Sequence, residues 1–115
     1  MSKRDRMLRD LCKSLGEKYT ITTIDLERVI YRDFGNGFNV EVSGVHTSKE
    51  DKKAILYLWH GDGYDCQIVR TMKDVPRSKI GDCVEELYRY SQELVRSGKT
   101  DRDSLFRIRH SGQYC

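Results

Sequence analysis

Six consecutive residues, His60-Gly61-Asp62-Gly63-Tyr64-Asp65, put one imidazole and two carboxylates into a short segment. Such a group can hold a hard or borderline cation, but Asp and Gly are also the ordinary residues of turns. The calcium-loop pattern, alternating oxygen ligands closed by a distal Glu, is absent. The segment therefore reads as a turn that offers Asp62, Tyr64 and Asp65 to a partner, with no metal assigned. Asp33-Phe34-Gly35 repeats three letters of a kinase signature in a chain too short for a kinase. Phe34-Gly35-Asn36-Gly37-Phe38 repeats the aromatic-glycine strand of RNA-binding sheets without its leading basic residue. His46, His60 and His110 are scattered, and no G-x-S-x-G elbow or phosphate-cradling glycine loop occurs. The expectation is a protein that is not an enzyme, with no catalytic residue and no cofactor.

Composition narrows the class. At 115 residues with 37% hydrophobic and 34% charged side chains, the chain suits one polar domain with a modest core. No apolar run reaches the ~20 residues of a membrane helix. Met1 to Arg6 leads into an amphipathic stripe, unlike the apolar centre of a signal peptide, so a cytoplasmic location is expected. Cys12, Cys66, Cys83 and Cys115 form no C-x-x-C pair and read as free thiols, small hydrophobes where they fall on apolar stripes. Net charge is +3, unevenly placed. Residues 1–13 and 96–115 each carry five basic and two acidic side chains, and the body between them has 11 basic and 14 acidic.

The elements follow from periodicity. Met7, Leu8, Leu11, Cys12 and Leu15 make a helical stripe over 3–15, capped by Ser2 and stopped at Gly16. Residues 19–34 read either as strand or, through Leu26, Val29 and Ile30, as a short helix; a strand at 28–34 is preferred because Gly35-Asn36-Gly37 then makes a hairpin turn. Phe38, Val40 and Val42 alternate with Asn39, Glu41 and Ser43 in the next strand, 37–43. Residues 54–59 are apolar on both faces, as in a central strand. Residues 66–72 form another, with Cys66, Ile68 and Arg70 assigned to one face. Ser78 is expected to cap a helix over 78–97 with its stripe at Ile80, Cys83, Val84, Leu87, Ser91 and Leu94. Residues 99–115 form a basic tail in which Thr100 to Asp103 can cap a short docked helix through Leu105, Phe106 and Ile108. The expected fold is a two-layer α+β sandwich, helix – three or four antiparallel strands – helix, with both helices on one sheet face.

Two sets of side chains remain as binding candidates. The outward face of the second helix carries Asp82, Glu85, Glu86 and Glu93, an acidic face that joins Asp62, Tyr64 and Asp65 as a surface for a protein. The tail supplies Arg102, Arg107 and Arg109 for phosphate or an acidic partner, with Phe106 and Tyr114 able to stack on bases. The element order resembles the double-stranded RNA-binding domain over residues 3–97, which implies direct nucleic-acid binding. Where that family carries a lysine-rich clamp, this chain has Arg77 and Lys79 followed by Asp82, Glu85 and Glu86. In size, polar composition, acidic body and lack of catalytic motifs the chain also resembles small phage- and mobile-element-encoded inhibitors of CRISPR–Cas nucleases. That resemblance implies a protein partner, a nucleic-acid-processing nuclease, blocked by surface occupation. An unpaired sheet edge would in addition support a homodimer.

Overall fold

The structure, a computed structural model, describes residues 1–61 and 63–110. Helix α1 (Lys3–Leu15) leads into five strands, β1 (Thr20–Ile24), β2 (Glu27–Asp33), β3 (Phe38–Ser43), β4 (Ala54–His60) and β5 (Gln67–Val75). Helices α2 (Ile80–Arg96) and α3 (Arg102–Arg109) follow. The strands pair in chain order as one antiparallel meander, so the architecture is α+β with five strands, more than the three or four expected.

The extra strand comes from the ambiguous stretch. Thr20 to Ile24 and Glu27 to Asp33 form a hairpin closed by Asp25 and Leu26, both in the left-handed region at φ 50° and 67°. The β-branched residues of β1 favour extended backbone, and two successive positive φ angles make the tight turn that matches strand twist. No helix forms there among the described residues.

Alternation assigns the two faces. Ile30, Val40, Val42, Leu56 and Leu58 lie in register across β2, β3 and β4 and join Leu8 and Cys12 of α1 and Val84 and Leu87 of α2 in one core. Leu105 of α3 is fully buried in the same core, so this short helix belongs to the domain's packing. Ser2 Oγ accepts the Asp5 N–H at 3.2 Å, the expected cap of α1.

Two local expectations need correction. Ser78 caps nothing: residues Arg77–Lys79 make a 3-10 turn after Pro76, and α2 begins without a side-chain cap. Cys66 lies before β5, and an irregularity between Leu58 and Trp59 sets Arg70 opposite Leu58 but Ile68 opposite Trp59. The extra residue transfers the rest of the strand to the other face, so Cys66, Ile68 and Arg70 do not share one.

Candidate binding face

The sheet face away from the helices carries a row that crosses every strand: Thr20, Tyr31, Glu41, Tyr57 and Thr71 stand side by side. The next row adds Asp33, Asn39, Trp59 and Ile68. Strand alternation alone puts these residues on one surface. At its centre Glu41 is only 6% exposed, screened between two tyrosines, and its carboxylate accepts the Trp59 indole N–H at 3.1 Å.

Burial pushes the Glu41 carboxyl above its ordinary value, the Trp59 bond works against that, and the negative charges of Glu27 and Asp25 add to the rise. Burial, with the charge of Asp33, also raises the Tyr31 hydroxyl. The face is therefore acidic, aromatic and short of positive charge at its centre. Glu27 is held in place where β3 ends, accepting from Ser43 Oγ and the Gly44 N–H at 2.8 Å each. Beside Trp59 a hollow of about 290 Å³ is lined by Ile24, Tyr31, Asn39, Gly61 and Cys66. Gly61 sits there at φ 85°, where a Cβ would meet the Asp65 carbonyl at 3.0 Å, so the loop closes this tightly only with glycine.

The residues singled out from sequence are dispersed by comparison. Glu85 is itself exposed, but its carboxylate is taken up by a buried cation: it accepts from Arg32 Nη1 at 3.0 Å, and Arg32 is 5% exposed. That guanidinium also donates to Tyr19 Oη at 3.4 Å and lies 5.1 to 5.4 Å from the ring centres of Phe34, Tyr88 and Tyr19. Glu93 pairs with Arg96 one turn on. Asp82 and Glu86 stay exposed beside the end of β5. Tyr64 and Asp65 are exposed in the β4–β5 connection, where Asp65 comes within 4.0 Å of Arg102, so one acidic candidate faces one basic candidate. Asp62 and Tyr114 lie outside the described residues. Arg107 is exposed and Arg109 half-buried near the end of α3, where Phe106 stacks on His110 at 4.1 Å.

His60 turns to the Phe38 ring at 4.6 Å, and burial lowers its pKa. Among the described residues no three His, Cys, Asp or Glu side chains gather as a metal set. Cys12 is buried, Cys83 half-buried and Cys66 exposed, and Cys115 lies outside the described residues. No described helix is long and apolar enough to cross a membrane.

No protein-family model, curated protein or solved structure matches the chain.

Proposed function

We propose that this protein is a non-enzymatic interaction module whose open sheet face receives a cationic segment of a partner protein. The carrying observation is Glu41, a carboxyl buried among Tyr31, Tyr57 and Trp59 with Asp25, Glu27 and Asp33 on the same side of the molecule. An arginine laid on such a surface stacks on aromatic rings and neutralises a carboxylate already stripped of water.

The partner we favour is a nucleic-acid-processing enzyme, in the manner of the small inhibitors of CRISPR–Cas nucleases. Such an enzyme grips phosphates with lysine and arginine, and an acidic face is the electrostatic complement of that groove. The duplex-binding alternative is supported less well: Arg77 of the would-be clamp donates to the Val45 carbonyl at 3.3 Å, and Arg102 lies against Asp65.

Trp59 is the single tryptophan, so its fluorescence reports on this face directly. An arginine-rich peptide is expected to change Trp59 emission, a glutamate-rich peptide is not, and Glu41→Gln should weaken the response. Duplex DNA or RNA that binds at low salt while the arginine-rich peptide stays silent would overturn this reading and return the function to Arg102, Arg107 and Arg109. Inhibition of nuclease cleavage by the wild type, lost in Trp59→Ala, would test the proposed class of partner.

A further inference from the structure

The two edges of the sheet differ. The outer edge of β5 is packed by α3, whereas β1 has a strand neighbour on one side only. Exposed edges are usually blunted by lysine, proline or a bulge. β1 carries none of these: Thr20, Ile21, Thr22, Thr23 and Ile24 are all β-branched and uncharged. Immediately after it comes Leu26, 100% exposed and held at φ 67°. A leucine there is strained, in a turn position that glycine or asparagine fills at little cost, and its side chain buries nothing within its own molecule.

The opposite end of β1 supplies a counterpart. A hollow of about 490 Å³ opens where α1 ends and β1 begins, lined by Leu15, Gly16, Lys18, Tyr19 and Glu85 among others. Knob and hollow therefore flank the two ends of one short strand. An antiparallel strand pair about a two-fold axis brings each end of one copy to the opposite end of the other.

We propose that β1 pairs antiparallel with β1 of a second copy about a two-fold axis at Thr22, seating Leu26 of each copy at the other's hollow. This register uses all five residues of the strand: Thr22 faces itself, Ile21 faces Thr23, and Thr20 faces Ile24. It keeps each residue on its own sheet face, which a shift by one would not. Continued outward, it places Leu26 opposite Lys18, at the rim of the hollow. Five-residue strands alone bury less than the roughly 1,000 Å² of a stable interface, so the two leucine seats are needed and the dimer is a micromolar one. The axis stands normal to the sheet, leaving both open faces on the same side. The inference stands on the edge and the turn, independently of what the open face binds.

Sedimentation equilibrium of the full chain, from low micromolar to near-millimolar concentration, tests this. The wild-type mass should climb from 13.5 kDa toward twice that value. Thr22→Lys, which sets two ammonium groups against each other on the axis at an exposed position, should hold the mass at 13.5 kDa. Leu26→Gly should weaken association at least about ten-fold, with circular dichroism confirming that both variants are folded. A wild-type mass fixed at 13.5 kDa throughout overturns the proposal. So does a dimer undiminished by either substitution.

Discussion

Glu41→Gln changes one atom and separates a binding residue from a packing residue. The carboxyl is 6% exposed, and burial is the largest influence on it, larger than the opposing bond from Trp59. A carboxyl whose folded pKa is raised binds its proton more readily in the native state than in the unfolded chain. It costs stability at neutral pH; the cost shrinks as pH falls through the raised folded value and is gone below the ordinary 4.5. Glutamine keeps the shape and an oxygen for the Trp59 N–H. It gives up the charge-assisted part of that bond but escapes the larger desolvation penalty, for a net gain on the order of 1 kcal/mol at pH 7. In a domain of this size that raises Tm by roughly 4 °C. Urea unfolding followed by Trp59 fluorescence and by circular dichroism at pH 7 and below pH 4.5 reads it, with exposed Glu86→Gln as the control. The gain should fall to within about 0.5 kcal/mol at the acid pH, where both side chains are neutral. A Glu41→Gln variant that is less stable than wild type at pH 7, or a gap indifferent to pH, refutes the reasoning.

Other substitutions probe the frame around the face. Glu85→Gln leaves the buried Arg32 cation with its rings and the Tyr19 hydroxyl but no counter-charge, and should cost about 1–3 kcal/mol in urea unfolding. Arg32→Met combined with Glu85→Gln should cost less than the two singles added together. Leu105→Ala removes a fully buried side chain from the α3 contact and should cost about 2–5 kcal/mol, showing that the tail helix is part of the cooperative unit. Asp5, held below its ordinary 3.8 by His46 first and Ser2 second, contributes stability that is lost as pH falls through its depressed folded value; Asp5→Asn should lack that portion of the acid limb in pH-dependent melts.

What could be read from the sequence divides along physical lines. Both long helices are legible because their apolar stripes bury against one surface: of the residues expected for α2, Ile80, Val84, Leu87, Ser91 and Leu94 are the buried ones and Cys83 is half-buried. The β1–β2 hairpin is not, because its turn uses Asp25-Leu26 in place of the Asn-Gly that normally marks such a turn. The face change in β5 is invisible because an irregularity in strand pairing has no residue signature. The candidate face was half legible. Glu41 alternates out of the core in plain view, but Tyr57 and Trp59 sit in an apolar run that reads as core on both sides. Charge counting finds Glu85 on the surface, where it lies, but not its tie to Arg32, a cross-element contact that no local pattern encodes.

Two local rules are broken in this molecule, and on the proposals made above the gain in both lies outside the folded chain. Glu41 is a desolvated carboxyl with one hydrogen-bond donor and negative neighbours. Leu26 is a strained residue whose side chain lies in solvent. Consistency across levels is what selects a single fold, and departures from it concentrate where a surface serves something else. If each departure serves binding, reversing both should improve folding and abolish association. Leu26→Gly relieves roughly 1 kcal/mol of left-handed strain, and Leu26 is not among the groups that set the Glu41 equilibrium. The two gains should therefore add to within about 0.5 kcal/mol in the double variant Glu41→Gln/Leu26→Gly. That variant should melt above wild type, stay monomeric and respond weakly to the arginine-rich peptide. A double variant that melts below wild type would mean that Glu41 and Leu26 hold the fold together, and that the surfaces assigned to partners are structural.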